Sequence, residues 1–304
     1  MSGVLCTGAG TPVGDAVARA LAEQPDIEHV LALGGQAPLH PKIHGVQADW
    51  TRTRAVHDVL FGPVCELGID AVVHGPLHRR ATDGGPRHHA LDVESTRELL
   101  RLAERHPTLR RLIYLSPACV YRQRPGFPET IQEDHPLQLG VSQPWLRDRV
   151  EGDLTVCARM GMGRLKITVL RLAEVLARGS GSQLEDFLSS RVCVRALGYD
   201  PMINLIAPGD VARAVVAALA ADRPGVYNIA GKTTLPLSAL IEAAGRIGLA
   251  LPGPLLGPLY RLRARLFGRS FVYSLNRDRF HFSGVLDGAR AARDLGYSPR
   301  EAAL

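Results

Sequence analysis

Short apolar segments alternate with helical segments along the first 170 residues, and this alternation restricts the fold more than any other feature of the chain. The predicted strands cover residues 4–6, 29–33, 45–48, 70–74, 112–115 and 166–170. The predicted helices between them cover residues 12–23, 53–62, 87–106 and 143–160. Strands and helices in this order indicate an α/β fold with a parallel, doubly wound sheet, which binds its ligand at the carboxyl ends of the strands.

A glycine-rich turn, CTGAGTPVG, joins the first strand to the first helix. Gly8 and Gly14 have the outer spacing of G-x-x-G-x-x-G phosphate-binding loops, but Thr11 holds the middle position. Pro12 suits the first turn of a helix and has no N–H to donate to a phosphate. The residues predicted to bind a dinucleotide, weakly, are Gly8, Gly10, Thr11, Pro12, Val13 and Gly14. The alternative is a tight strand–helix turn without a ligand.

The end of the second strand has no acidic residue that could bind a ribose. Dinucleotide-binding folds place an Asp or Glu about 20 residues beyond the loop, whereas this strand ends at Gly34, followed by Gly35. No arginine follows to receive a 2′-phosphate, so the sequence does not distinguish NAD from NADP. Asp49 and Trp50, after the third strand, are candidates for the adenine edge. The alternative is a helix cap beside a surface tryptophan.

The chain changes character near residue 174, where a Gly/Ser-rich stretch at 179–182 begins a less regular region. Residues 203–230 return to a strand–helix–strand pattern, and residues 235–304 are mostly helical. We therefore predict a dinucleotide-binding domain at residues 1–174 plus 203–231. A small substrate-type lobe is predicted at residues 175–202 plus 232–304.

Composition narrows the classes of partner. The scattered cysteines, without a C-x-x-C pair, indicate reduced thiols rather than disulfides or zinc ligands. The net charge is +6, and arginine replaces lysine along the whole chain. This usage is typical of the codon bias of a GC-rich genome rather than of a nucleic-acid-binding surface, so we expect no nucleic-acid partner. No apolar run is as long as a membrane span and no signal segment precedes the first strand, which favours a cytoplasmic protein.

Four histidines, His74, His78, His88 and His89, are candidates for metal ligands. Only His74 and His78 have the close spacing of ligands, and His74 also lies on a predicted strand. We therefore predict no metal site.

Together these segments resemble the NAD-dependent epimerase/dehydratase branch of the extended short-chain dehydrogenase/reductase superfamily. The segments that carry the resemblance are TGAGTPVG, VQADW, DAVVHGPL, LDVESTRELL, LIYLSPACVYR, ITVLRLAEV, DVARAVVAAL, GVYNIAG and ARDLGYSPR. The resemblance covers nearly the whole chain. It implies a Rossmann-like doubly wound parallel sheet with a small, mostly helical C-terminal substrate lobe, an NAD or NADP cofactor, and a homodimer through the helices at 87–106 and 143–160.

The resemblance also implies a catalytic set of Ser or Thr, Tyr and Lys, and this sequence has replaced all three. Pro117 holds the Ser/Thr position four residues before Tyr121, and Ser116 lies one residue early. The Tyr-x-x-x-Lys positions hold Trp145 and Arg149, and tryptophan has no acidic proton to transfer. The residues that the resemblance places beside the cofactor are Gly75, Pro76, Ser116 and Arg149.

Two functional hypotheses follow. In the first, the chain is an NAD(P)-binding protein without the family's catalytic set: a binding, sensing or scaffold protein, or an atypical enzyme. In the alternative, it is an active oxidoreductase or sugar-nucleotide epimerase/dehydratase with a relocated acid/base, for which Tyr121 is the candidate. Both hypotheses include a dinucleotide and an unidentified small-molecule ligand.

The segment LLGPLYRLRARLFGR at residues 255–269 has two interpretations. Its helical stripe consists of Leu255, Leu259, Leu262 and Leu266. The arginines around the stripe are Arg261, Arg263, Arg265 and Arg269. The segment is either an amphipathic helix that covers the C-terminal lobe, or a basic, apolar face for an anionic lipid surface or an acidic ligand.

Overall fold

Fourteen strands and eleven α-helices make up the part of the chain that the computed structural model describes, residues 3–77, 80–82, 84–268 and 270–303. The strands are β1 (Gly3–Ala9), β2 (His29–Gly34), β3 (Ile43–Val46), β4 (Ala71–His74), β5 (Arg111–Pro117), β6 (Thr130–Ile131), β7 (Lys166–Leu172), β8 (Glu174–Val175), β9 (Val192–Ala196), β10 (Met202–Ile206), β11 (Gly225–Ile229), β12 (Thr233–Pro236), β13 (Ile247–Leu251) and β14 (Val285–Leu286). The helices are α1 (Pro12–Ala22), α2 (Thr53–Val59), α3 (Pro86–His89), α4 (Ser95–Ala103), α5 (Pro144–Cys157), α6 (Gln183–Leu188), α7 (Pro208–Ala221), α8 (Leu237–Ala243), α9 (Gly253–Phe267), α10 (Tyr273–Asn276) and α11 (Ala289–Leu295).

Seven parallel strands form the central sheet, in the order β11-β7-β5-β4-β1-β2-β3. The apolar run Val4-Leu5-Cys6 of β1 is fully buried because helices cover both faces of the sheet. Helices α1, α7 and α11 pack on one face, and α2, α4 and α5 pack on the other. The strand order reverses between β1 and β4, which is where a doubly wound sheet opens a crevice for a ligand. This architecture confirms the predicted α/β class.

Two predicted helices are interrupted by π-helical turns. The helix expected at 53–62 ends at Val59 and continues as a π-turn at Leu60–Val64, where Pro63 cannot donate a main-chain hydrogen bond. The helix expected at 87–106 consists of α3, a π-turn at Ala90–Glu94, and α4. There the side chain of Thr96 donates to the carbonyl of Asp92 (2.6 Å) and competes with the main-chain bond.

The C-terminal lobe contains more sheet than the sequence predicts. Strand β10, which was assigned to the dinucleotide-binding domain, pairs with β12 and β8 in a separate three-stranded sheet. Its side chains Ile203 and Leu205 pack with Phe187 and Leu237 of the lobe. A short apolar run does not reveal which sheet it joins, because that choice depends on distant partners. Within the described residues, no helix is long and apolar enough to cross a bilayer.

His74 is a buried histidine that links the central sheet to the helical layer. Its Nδ1 lies 2.9 Å from Oγ1 of Thr7, and its Nε2 lies 2.9 Å from Oγ1 of Thr96. Because the Thr96 hydroxyl already donates to Asp92, Nε2 of His74 must donate and Nδ1 must accept. The folded protein therefore holds this imidazole neutral, as one internal polar contact of the core.

We expect the folded protein to lose stability in acid because of His74. Burial lowers the pKa of His74 from 6.5 to about 4, so the unfolded chain binds a proton in this range that the folded chain does not. The free energy of unfolding therefore falls as the pH drops, by about 2 kcal/mol between pH 7 and pH 4.5 from this residue. Urea denaturation of the wild type and of His74→Gln measures the difference in pH dependence.

Burial also lowers the pKa of His106, and both proteins retain this residue. Its contribution therefore cancels when the pH dependence of His74→Gln is subtracted from that of the wild type. An identical pH dependence in the two proteins would contradict the assignment of His74 as a neutral core residue.

Candidate functional site

A cleft of about 1170 Å³, counted with its open mouth, lies at the carboxyl ends of β1, β4, β5 and β7. Its lining includes Thr7, Gly8, Thr11, Val13, Gly14, Gly75, Pro76, Leu77, Ser116, Pro117, Cys119, Trp145, Arg149, Glu174, Gln183 and Arg279. Most of the sequence-predicted residues thus meet in one place. The predicted site residues that do not line the cleft are Gly10, Pro12, Gly34, Asp49, Trp50 and Tyr121.

The β1–α1 loop has the tight turn expected of a phosphate-binding loop. Gly8 has a φ of +84°, a conformation that L side chains rarely adopt. A Cβ on Gly14 would overlap the carbonyl oxygen of Gly8, so only glycine allows α1 to start this close to the strand. Thr11 caps α1, because its hydroxyl accepts from the N–H of Gly14 at 2.9 Å.

The loop's main-chain donors are largely occupied from within the protein. The N–H of Gly10 donates to the Asp15 carboxylate at 2.7 Å, and the N–H of Thr11 donates to the carbonyl of Gly8 at 3.2 Å. Gly14 donates to the Thr11 hydroxyl, and Pro12 has no N–H. Within the described part of the loop, the N–H of Val13 has no acceptor inside the protein. The sequence analysis did not single out Asp15, although an acidic residue directly after the loop was a visible signal.

The end of β2 lies directly against the loop. The N–H of Gly35 donates to the carbonyl of Ala9 at 2.7 Å, and a Cβ on Gly34 would lie 2.8 Å from the same oxygen. Gly34 also has a φ of +140°. A ribose-binding carboxylate at position 34 would therefore be strained and would collide with the loop. The missing acidic residue has a steric cause in this fold.

Asp49 and Trp50, the candidates for the adenine edge, lie outside the lining of the cleft. Trp50 is 3% exposed and packs in the core with Val56 and Leu100, since an indole buries a large apolar area there. The Asp49 carboxylate accepts from the hydroxyl of Thr51 at 2.6 Å. The alternative of a helix cap beside a surface tryptophan is wrong, because Trp50 is buried and α2 begins after Arg52 rather than after Asp49. The contact of Asp49 with an adenine stays a prediction.

Trp145 and Arg149, which the resemblance aligns with the family's Tyr and Lys, form a buried stack on α5. The Arg149 guanidinium carbon lies 3.6 Å from the centroid of the Trp145 ring. Its Nη1 donates to the carbonyl of Trp145 at 3.1 Å and lies 3.5 Å from the Asp92 carboxylate. Asp92 in turn accepts from the N–H of Leu77 at 2.8 Å. The cation is thus held by an aromatic ring and a carboxylate at the wall of the cleft.

Tyr121, the candidate substitute acid, is buried behind the cleft. Its hydroxyl donates to Oδ1 of Asn228 at 2.7 Å and accepts from Nη1 of Arg171 at 3.1 Å. Burial raises the pKa of Tyr121 to about 12, although Arg171 partly opposes this effect. Tyr121 therefore belongs to an internal hydrogen-bond network. The sequence did not predict this network, because its members are far apart along the chain.

The lining offers little acid–base chemistry. Its described residues include no tyrosine, lysine or histidine, and the one carboxylate among them, Glu174, lies 2.6 Å from Arg279 in an ion pair. Burial raises the pKa of the Cys119 thiol to about 11, which keeps it protonated near neutral pH. The Ser116 hydroxyl is buried at the wall and has no hydrogen-bond partner among the described residues. It is a polar group available to a ligand.

His89 meets two carboxylates outside the cleft, a grouping that the sequence analysis did not predict. Ligand-type atoms of His89, Asp148 and Glu151 lie within 4.8 Å of one another. Arginines neutralise both carboxylates: Arg97 lies 2.6 Å from Glu151, and Arg147 lies 3.3 Å from Asp148. The arrangement is an ion-pair network between helices. Of the other histidines considered, His78 lies outside the described residues.

Several solved structures superpose on nearly the whole chain. WbmH of Bordetella bronchiseptica, solved with NAD+, superposes with a TM-score of 0.71 at 18% identity, over 100% of this chain and 95% of that chain. The UDP-glucuronic acid 4-epimerase of Bacillus cereus, solved with NAD, gives 0.69 at 17% identity, over 99% and 94%. This chain has the fold of these NAD-bound structures. The dTDP-glucose 4,6-dehydratase of Bacillus anthracis, also solved with NAD, gives 0.67 at 14% identity, over 99% and 93%.

Sequence comparison alone is less specific. The uncharacterized protein Rv0501 of Mycobacterium tuberculosis is 28% identical over 306 residues, which cover 98% of this chain and 80% of that protein. The uncharacterized protein Mb0513 of Mycobacterium bovis matches to the same extent. No protein-family model matches the sequence. The solved structures thus confirm the fold that the resemblance implies.

Proposed function

We propose that the chain binds NAD or NADP in the cleft and acts as a binding or sensing protein, without the proton chemistry of the epimerases and dehydratases. Structural neighbours solved with NAD support the cofactor. The Trp145–Arg149 stack, at the positions of the family's Tyr and Lys, carries the non-catalytic part of the proposal.

The cleft fits a dinucleotide in part. The turn at Gly8 and Gly14 lets a ligand approach the main chain, and the unpartnered Ser116 hydroxyl and the Val13 N–H offer hydrogen bonds. The loop's other donors are occupied, and Gly34 brings no ribose contact. We therefore expect weak binding, with the ligand held mainly by the apolar walls and few polar contacts.

The small number of proton-transferring groups in the lining of the cleft also supports the proposal. A bound nicotinamide ring supplies a hydride donor or acceptor. Hydride transfer between an alcohol and a carbonyl also moves a proton, which needs a group of suitable pKa beside the substrate. The described lining residues supply only a paired carboxylate, Glu174, and a thiol of raised pKa, Cys119. A ligand would thus be bound rather than turned over.

Thermal denaturation during titration with NAD and with NADP tests the binding. A ligand at a hundred times its dissociation constant should stabilise the fold by about 2.7 kcal/mol. Gly14→Ala should abolish the shift, since its Cβ would overlap the Gly8 carbonyl oxygen. Gly257→Ala, on α9 with open space around its Cβ, is the matched control and should keep the shift. No shift with either dinucleotide would contradict the proposal.

Turnover assays separate this proposal from the alternative of an active enzyme. We expect no epimerisation or oxidation of UDP-glucose or UDP-glucuronic acid by the wild type with NAD. The double variant Trp145→Tyr, Arg149→Lys should gain no rate, because Pro117 still occupies the Ser/Thr position. A wild-type rate that Tyr121→Phe abolishes would favour the relocated acid instead.

Three further interpretations stay predictions, of which the homodimer rests on the resemblance alone. These are a homodimer through the helices predicted at 87–106 and 143–160, a cytoplasmic location and an unidentified small-molecule ligand. Analytical ultracentrifugation of the purified chain measures the first of them.

A further inference from the structure

Helix α9 presents a row of leucines to solvent. It packs onto the C-terminal lobe through Leu256 and Tyr260, which are buried. Leu255, Leu262 and Leu266 are 55%, 54% and 66% exposed, and their spacing of seven and four residues puts them on one helical face. Leu259, predicted to share the stripe, is half-buried against the lobe. The exposed row is therefore distinct from the face that holds the helix in place.

Apolar exposure is concentrated in this part of the described chain. Six of its fourteen exposed large hydrophobic residues lie between residues 247 and 267. Besides the three leucines they are Phe267, at the end of α9, and Ile247 and Leu249 of the edge strand β13, which leads into α9. Scattered single apolar residues are ordinary on a protein surface, whereas a cluster of this kind marks an interaction surface.

The same segment is strongly basic. Residues 243–277 contain six arginines and no aspartate or glutamate. Arg263 is engaged with the lobe, since its Nη1 donates to the carbonyl of Val192 at 3.1 Å. Arg261 and Arg265 are exposed and form no ion pair with the residues that the structure describes. Their helical positions put both on the outer side of the leucine row. Arg269 lies outside the described residues.

We propose that the α9 surface, formed by Leu255, Leu262, Leu266, Phe267, Arg261 and Arg265, is a reversible docking site for an anionic lipid bilayer. An apolar stripe flanked by arginines matches a helix that lies in the plane of the head groups, with leucines in the acyl boundary and guanidinium groups on the phosphates. A nucleic acid would contact the arginines but would leave the exposed leucines in water.

This surface does not depend on the cleft, so its test is independent of dinucleotide binding. The purified full chain is sedimented with vesicles of phosphatidylglycerol and phosphatidylcholine in equal parts, and with vesicles of phosphatidylcholine alone. We expect binding at least about tenfold stronger to the anionic vesicles, since each arginine near such a surface contributes about fivefold. High salt should weaken the binding, because it screens the arginine–phosphate attraction.

Two double variants separate the two contributions. Arg261→Glu, Arg265→Glu should weaken binding to anionic vesicles by at least about tenfold. Leu262→Asp, Leu266→Asp should reduce binding to background by removing the apolar insertion. The matched controls replace exposed residues elsewhere: Leu39→Asp, Leu139→Asp for the leucines and Arg19→Glu, Arg54→Glu for the arginines. The control variants should bind vesicles as the wild type does.

Three results would overturn the proposal. One is a wild type that does not bind anionic vesicles. Another is equal loss of binding in the α9 variants and in the controls. The third is self-association of the wild type, seen by light scattering without vesicles, that Leu262→Asp, Leu266→Asp abolishes while no vesicle binding occurs. That outcome would assign the α9 surface to a second copy of the chain.

Discussion

Asp153→Ala is expected to lower the free energy of unfolding by about 3–5 kcal/mol, the usual result of breaking a buried ion pair on one side. Asp153 is fully buried on α5, and its two carboxylate oxygens accept from Nε and Nη2 of Arg171 at 3.0 and 2.6 Å. The same guanidinium donates to the Tyr121 hydroxyl and to the carbonyl of Glu133. Removal of the carboxylate takes the paired charge away from a buried guanidinium, since Arg171 is 5% exposed.

Urea denaturation monitored by circular dichroism measures this loss. Asp58→Ala is the control, because Asp58 pairs with Arg54 at the surface and such pairs contribute less than about 1 kcal/mol. The double variant Asp153→Leu, Arg171→Met should recover most of the stability, since it removes both charges and keeps apolar volume. A loss below about 1 kcal/mol in Asp153→Ala would show that the network holding Tyr121 is not an important stabilising element.

Asp15→Asn is expected to tighten dinucleotide binding by about tenfold or more. The Asp15 carboxylate lies at the mouth of the β1–α1 loop, hydrogen-bonded to the N–H of Gly10. A pyrophosphate bound at the loop would carry negative charge close to this carboxylate, and like charges a few ångströms apart repel by roughly 1–3 kcal/mol at a protein surface. Asparagine keeps an oxygen for the Gly10 N–H and removes the charge.

Two further variants make this prediction specific. Asp15→Ala should bind at least as tightly as Asp15→Asn, since it also frees the Gly10 N–H for a phosphate. Glu23→Gln removes a charge from the opposite end of α1 and should leave the affinity unchanged. Isothermal titration with NAD gives the dissociation constants. Unchanged or weaker binding in Asp15→Asn would contradict the repulsion. Absence of binding in every variant would instead contradict the proposed cofactor site.

Local features of the sequence predicted the fold class well. The alternating strands and helices are a property of short windows, and the seven-stranded parallel sheet contains all six predicted strands of the first 170 residues. The predicted bounds of two helices were less accurate. Pro63 lacks a main-chain donor and the hydroxyl of Thr96 bonds to a main-chain carbonyl, so both change the hydrogen bonding within the predicted helices. The pairing of β10 with β8 and β12 could not be predicted from the sequence, since these partners lie about 30 residues away along the chain.

The sequence predicted the cleft-lining residues that belong to short motifs. It did not predict which residues are buried by contacts with distant segments. Gly8, Gly14, Ser116, Trp145 and Arg149 line the cleft as the family motifs imply. Trp50 and Tyr121 also sit in motif-like segments, yet the structure buries both away from the cleft. Burial depends on which elements cover a residue, and one sequence does not contain that information in its local pattern.

The amino-acid sequence by itself determined the sheet type and the glycine turn, because these follow from residue identity and short spacings; the replacement of the Ser/Thr, Tyr and Lys residues stays a prediction from the resemblance. Only the tertiary structure decided that Asp15 occupies a loop donor, that Gly34 is pressed against Ala9, and that the leucines of α9 face solvent. Each of these depends on an approach between groups whose distance is set by the packing of the sheet and its helices. The physical reason is that hydrogen bonds, steric contacts and exposure are properties of neighbours in space, which periodicity along the chain does not specify.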